Sequence, residues 1–165
     1  MAAHRQQQML ESGARAPDFQ LKDLDSRMRS LRDLVAARPA LIAFFKTTCP
    51  VCQLTLPFLD RIHRGQAEPV MSIYGVSQDD AETTTEFNQE FGVSFPTLLD
   101  TADTNYPASN AYRISHVPSV FLVERDGTIS WTMEGFDKQA LENLGAKAGV
   151  QTFTPRDQVP RFKAG

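Results

Sequence analysis

Six consecutive apolar residues, Ala40-Leu41-Ile42-Ala43-Phe44-Phe45, leave this chain little freedom in how it folds. Alternate side chains of a strand point to opposite faces, so a strand made of these residues has no polar face to give to water. A run of that kind fits a central strand of a parallel or mixed sheet, covered on both sides. The chain has 165 residues, enough for one domain that buries a core without metal or disulfide staples. No apolar stretch is more than strand-sized, so the sequence gives no reason to expect a membrane span. A net charge of -3 gives no electrostatic reason to expect a nucleic acid partner.

Strand-like and helical patterns alternate around that run. Residues 1–13 are polar and glutamine-rich and read as a flexible lead. They lack the apolar core of a secretory signal, so a cytoplasmic protein is expected. Asp18-Phe19-Gln20-Leu21 looks strand-like. Leu31, Leu34 and Val35 at helical spacing predict a short helix over 31–36, which Pro39 breaks. Thr47 and Thr48 then offer N-cap hydroxyls for a helix starting at Cys49, with Pro50 in its first turn. Val51, Leu54, Phe58, Leu59 and Ile62 continue its apolar face, and Pro57 should kink it. A second apolar strand spans 70–76. A helix over 81–91 stops at Gly92, with Asp79, Asp80 and Glu82 as its acidic cap. Residues 95–100 look extended and 106–112 helical. A strand at 119–123 turns at Asp126-Gly127 and returns over 128–133, where Trp131 reads as packed on the hairpin. A last helix spans 138–148. Residues 14–150 thus make one domain, and 151–165 read as a tail. The closing hairpin argues for a mixed sheet with helices on both faces rather than a purely parallel one.

The only two cysteines stand in Cys49-Pro50-Val51-Cys52. One helical turn apart, their Cα atoms come to roughly 5–6 Å, within disulfide reach. Cys49, at the helix start, faces unpaired N–H groups and the positive end of the macrodipole. Both favour thiolate, so its pKa is expected below the free value of about 8.5. Cys52 sits a turn inside and should be less exposed and less ionised. The asymmetry predicts that Cys49 attacks and Cys52 resolves. In a reducing cytosol a structural disulfide does not persist, so the pair reads as catalytic. Two plainer readings compete. A zinc site needs four ligands, and His4, His63 and His116 lack ligand spacing. An incidental pair of buried thiols does not explain a place directly after a buried strand and at a helix N-terminus.

Several motifs together resemble a known family. Gly13-Ala14-Arg15-Ala16-Pro17-Asp18-Phe19, the strand 41–45, Cys49-Pro50-Val51-Cys52, Val117-Pro118-Ser119 and Glu124-Arg125-Asp126-Gly127-Thr128-Ile129 fall in the order seen in TlpA-like thioredoxin-fold proteins. These belong to the alkyl hydroperoxide reductase/thiol-specific antioxidant superfamily. The resemblance covers about 13–149. It implies an α/β, thioredoxin-like fold: a central mixed β-sheet with helices on both faces, an N-terminal extension, and a strand/helix insert at 95–114. It also implies that Pro118 is a cis-proline lying against the dithiol. The backbone of Val117 would pair with an extended substrate segment by strand addition. Pro50, Val51 and His116 would border that substrate. Two residues depart from the family pattern. Ala43 stands where thioredoxin has a buried acid, and Thr55 where TlpA-like reductases often have a glutamate. The proton of Cys52 then needs another acceptor, for which Lys46 and His116 are candidates by proximity in the chain.

The expected activity is thiol–disulfide exchange, in the reducing direction. It takes a protein or small-molecule disulfide as substrate and an upstream dithiol as electron donor, and it needs no metal or organic cofactor. The alternative is a thiol peroxidase. Peroxiredoxins carry Pro-x-x-x-Thr-x-x-Cys, whereas Ala43, Phe44, Phe45 and Lys46 lead up to Cys49 with neither proline nor threonine in place. A third reading is a non-catalytic copper- or partner-binding module; copper carriers of this family space their cysteines more widely.

Overall fold

The computed structural model describes residues 8–165. The first part of the lead, 1–7, which includes His4, lies outside the described residues. β1 (Gln20–Asp23) and β2 (Met28–Ser30) form an antiparallel hairpin. Ser30 then caps α1 (Leu31–Leu34) through a reciprocal box: its hydroxyl accepts the Asp33 N–H, and the Asp33 carboxylate accepts the Ser30 N–H. β3 (Ala40–Phe45) leads into α2 (Pro50–Gly65), and β4 (Ser72–Ser77) into α3 (Ala81–Phe91). β5 (Thr97–Leu99) and α4 (Pro107–Ala111) make up the insert. β6 (Ser119–Val123), β7 (Ile129–Glu134), β8 (Phe136–Asp137), α5 (Lys138–Lys147) and β9 (Phe162–Lys163) follow. Among the described residues, no helix is long and apolar enough to cross a membrane.

Seven strands form one mixed sheet in the order β2-β1-β5-β4-β3-β6-β7. β3 is its hub, parallel to β4 on one side and antiparallel to β6 on the other. All six of its residues are fully buried. Leu41, Ala43 and Phe45 enter one core with Leu56, Leu59 and Ile62 of α2, Phe87 of α3, and Leu141 and Leu144 of α5. Ala40, Ile42 and Phe44 enter the other with Leu31 and Leu34 of α1, Ala108 of α4, and Tyr112. The twofold period of the strand therefore feeds two separate cores, which is why the run has no place for a polar residue. Burying each Leu, Ile or Phe is worth about 1.5–3 kcal/mol. The mixed sheet covered on both faces is the architecture that the sequence pattern predicts.

Element ends follow local hydrogen bonding. α3 has both expected ends, because the Asp80 carboxylate accepts the Thr83 N–H at 2.8 Å and Gly92 adopts a left-handed conformation (φ 66°). β4 starts later than the apolar pattern suggests. The Val70 and Met71 N–H groups are taken by Gln66 Oε1 instead of the sheet. β1 starts at Gln20 rather than Asp18, where the Asp18 carboxylate accepts the Phe19 N–H and Pro17 O accepts the Tyr112 hydroxyl.

Both flanks of the domain are tied to it. In the N-terminal extension, the Gly13 N–H donates to Ile129 O at 2.8 Å, and Ala14 O accepts the Ile129 N–H at 2.9 Å. At the other end, the Phe153 ring lies 4.7 Å from Phe58 between ring centroids. The Thr152 hydroxyl donates to Leu141 O, and Arg61 donates to both Thr152 O (2.8 Å) and Asp157 (2.7 Å). The Arg61 guanidinium and the Thr154 N–H hold the Asp157 carboxyl down to about 2, so this clamp stays charged at any physiological pH. Residues 151–159 are thus fixed against α2 and α5. Beyond them, β9 pairs antiparallel with β8.

Candidate active site

β3 ends at Phe45, and three residues later the chain enters α2. The sequence assigns the N-cap of this helix to Thr47 or Thr48. The structure gives it to Cys49, whose backbone is extended (φ -83°, ψ 114°) and whose Sγ accepts the Cys52 N–H at 3.1 Å. A sulfur thus takes the place of the usual capping oxygen and receives one of the N–H groups that every helix start leaves open. Pro50 fills the first turn, where its missing N–H leaves nothing unpaired.

Thr47 is engaged elsewhere. Its N–H and its hydroxyl both donate to Asp79 Oδ2, at 2.7 and 2.8 Å. This corrects the reading of Asp79 as part of the α3 cap: Asp80 caps that helix with Glu82 in its first turn, and Asp79 clamps the loop before Cys49. Gln53 Nε2 donates to Thr47 O and closes the loop from the helix side. The Asp79→Ala variant should leave the half-buried donors of Thr47 without their carboxylate acceptor and cost about 1–3 kcal/mol of stability. A urea melt measures that loss, and disulfide-exchange rates at a fixed folded fraction read the loosened loop.

The two sulfurs sit in different surroundings. Cys49 is partly exposed and Cys52 is fully buried. Burial pushes the Cys52 thiol well above its ordinary range, and the Cys49 sulfur beside it and the Asp79 charge push the same way; the Lys46 backbone N–H pulls against them. Across the site lies the loop before β6. The Val117–Pro118 peptide bond is cis, and the Cys49 thiol donates to Val117 O at 3.5 Å. Pro118 is buried and Val117 half-buried. The Pro118 carbonyl accepts the Gly135 N–H at 2.8 Å, which ties this loop to the end of β7.

The remaining residues singled out from the sequence separate into three groups. Pro50 is exposed beside Cys49, whereas Val51 is buried in the core under α2 and offers little surface to a substrate. Lys46 and His116 are exposed. The His116 ring meets Ser115 Oγ at 2.9 Å and Glu134 Oε1 at 3.4 Å rather than either sulfur. Ala43 is fully buried, and the buried Thr55 hydroxyl donates back to Val51 O at 2.7 Å. Trp131 is partly buried against the core. Among the described residues, no cluster of three or more His, Cys, Asp or Glu side chains could hold a metal ion.

Comparison with known proteins bears on this site. The model of the AhpC/TSA family matches residues 12–132. Thiol-disulfide oxidoreductase ResA of Geobacillus thermodenitrificans is 30% identical over 138 residues, covering 80% of this chain and 77% of that protein. ResA of Geobacillus kaustophilus is 27% identical over 124 residues, covering 74% and 69%. Among solved structures, the thioredoxin domain of a thiol-disulfide oxidoreductase from Bacteroides vulgatus superposes with a TM-score of 0.73 at 25% identity, covering 84% of this chain and 97% of that one. A thiol:disulfide interchange protein DsbE from Chlorobium tepidum shares the fold, with a TM-score of 0.72 at 20% identity over 84% and 95%.

Proposed function

We infer, for a chain that belongs to the AhpC/TSA family and is a thiol–disulfide oxidoreductase, that it works as a disulfide reductase with Cys49 attacking and Cys52 resolving. One observation carries the assignment of roles. The partly exposed Cys49 sulfur takes the Cys52 N–H at the mouth of α2, while the Cys52 sulfur lies fully buried one turn behind.

The Cys49 thiolate attacks one sulfur of a substrate disulfide. That S–S bond breaks, the other substrate sulfur leaves as a thiolate and takes up a proton, and a Cys49–substrate disulfide forms. Cys52 then loses its proton and attacks the Cys49 sulfur. The second substrate sulfur leaves, and a Cys49–Cys52 disulfide remains, so two electrons have passed from the dithiol to the substrate. The surroundings of Cys52 favour this order. In the mixed disulfide the Cys49 sulfur is neutral, so two of the influences that hold the Cys52 proton in place are gone, while the Lys46 N–H still supports a thiolate. An upstream dithiol restores the pair by the reverse sequence. The backbone of Val117, beside Cys49, is the place for an extended protein substrate to add as a strand. A reducing compartment, the cytoplasm expected from the sequence, belongs to the same reading.

The test is insulin reduction driven by dithiothreitol. The wild type should accelerate turbidity well above the uncatalysed rate, and a rate equal to the uncatalysed one overturns the reading. Equilibration with glutathione fixes the direction. A reductant holds its Cys49–Cys52 pair mostly reduced at a cytosolic glutathione ratio, and a pair found mostly oxidised there would make the protein an oxidant.

A further inference from the structure

We infer that residues 160–165 are a strap that occupies the peptide groove beside Cys49 and has to lift before a protein disulfide can dock. The inference rests on the proposed role of Val117 as the strand-addition site.

The attachment of the C-terminal stretch changes character along its length. Residues 151–159 are clamped by Arg61, by the Thr152 hydroxyl bond and by Phe153 in the core. After Pro160 no comparable anchor exists among the described residues. β9 has two residues, both exposed, and Phe162 leaves more than half of its surface to water. What holds the strap is backbone pairing: Phe136 opposite Lys163, Asp137 opposite Phe162, and the Lys138 N–H donating to Arg161 O at 2.9 Å. A firmly tethered stretch followed by an exposed segment held by little more than backbone pairing is the construction of a part that opens and closes.

The closed end lies on the site. A methyl group placed on the Cα of Gly165 would overlap Val117 O and would stand 2.9 Å from the Val117 carbonyl carbon and 3.4 Å from Pro118 N. On the opposite wall, a methyl group on Gly135 (φ 71°) would meet Lys163 O at 2.5 Å and Gly165 N at 3.1 Å. Two glycines therefore allow backbone to lie on backbone, with no space for a side chain at either position. Val117 O is also the atom that receives the Cys49 thiol. One carbonyl thus touches the nucleophile on one side and the strap on the other. An extended peptide adding along Val117 would need the space that Ala164 and Gly165 fill. The Cys49 sulfur itself stays partly exposed, so a small reagent can reach it without moving the strap.

The strap should therefore discriminate by size, and two variants test it. Deletion of 160–165 removes it. Gly165→Ala leaves β9 in place but forces its end off Val117. A groove open in only a minor fraction of molecules lowers apparent affinity by that fraction. Both variants should therefore speed insulin reduction about 5–30-fold, and should speed capture of Cys49 by a maleimide carrying a polyethylene glycol chain by a similar factor. Iodoacetamide should react with all three proteins at rates within about twofold, because it needs no groove. Equal polymer-capture rates in wild type and both variants overturn the strap. Faster capture with no insulin reduction by any of the proteins leaves the strap standing and overturns the reductase reading instead. If the deletion unfolds the protein, Gly165→Ala decides alone.

Discussion

Cys52→Ser is expected to turn the protein from a catalyst into a trap. The variant keeps the partly exposed Cys49 sulfur at the mouth of α2, so attack on a substrate disulfide still proceeds. The mixed disulfide then has no internal thiol to resolve it. A properly placed intramolecular group acts with an effective molarity as high as about 10⁵–10⁸ M, far beyond any millimolar thiol in solution. Even a modest share of that advantage makes the loss of insulin turnover about 10³-fold or more. The intermediate should accumulate as a covalent adduct, seen by mass spectrometry or on a non-reducing gel and released by dithiothreitol. Cys49→Ser should lose turnover by a similar factor and form no adduct at all, because the one remaining thiol, Cys52, is buried. An adduct on Cys49→Ser with none on Cys52→Ser would reverse the two roles. Full turnover by Cys52→Ser would remove the need for a resolving thiol.

The sequence makes these roles legible to the extent that they depend on neighbours along the chain. Ala40–Phe45 can be placed correctly because a strand with two apolar faces has one kind of home in a sheet. The ends of α3 follow from Asp80 and Gly92, each acting within a turn. The dithiol at a helix start is equally local. Asp79 is not, because its partner Thr47 lies 32 residues earlier, and an acid before a helix looks the same whether it caps that helix or reaches across the sheet. His116 shows the reverse problem: close in sequence to Val117, it turns its ring to Ser115 and Glu134. The pairing of β9 with β8 escapes sequence reading because both strands have two residues, and two residues display no period. Thr55 sits where TlpA-like reductases often have a glutamate, but its hydroxyl bonds to Val51 O, so the environment of Cys52 is set first by burial, with the Cys49 sulfur, the Lys46 backbone and the Asp79 charge acting beside it.

That environment makes the second large prediction. In single-thiol variants at neutral pH, iodoacetamide should modify Cys49 at least about 10²-fold faster than Cys52, since only an accessible thiolate reacts. Cys52 is fully buried, and burial is the main cause that raises its pKa. Its alkylation rate should still be climbing about tenfold per pH unit at pH 9, where an ordinary cysteine levels off. In concentrated urea the same thiol should react like free cysteine. The shift also couples to stability, with a defined sign. Below about pH 8.5 the Cys52 thiol is protonated in both the folded and the unfolded chain and contributes nothing to the pH dependence. Above it the unfolded thiol ionises while the folded one does not, so the unfolded state gains and stability falls by about 1.4 kcal/mol per pH unit. Cys49→Ser should show that alkaline loss in urea melts, and Cys49→Ser combined with Cys52→Ala should show it reduced by this amount. If the two melts run parallel between pH 8 and pH 10, the buried thiol titrates like a free one, and Cys52 would not be the guarded second sulfur that the exchange sequence requires.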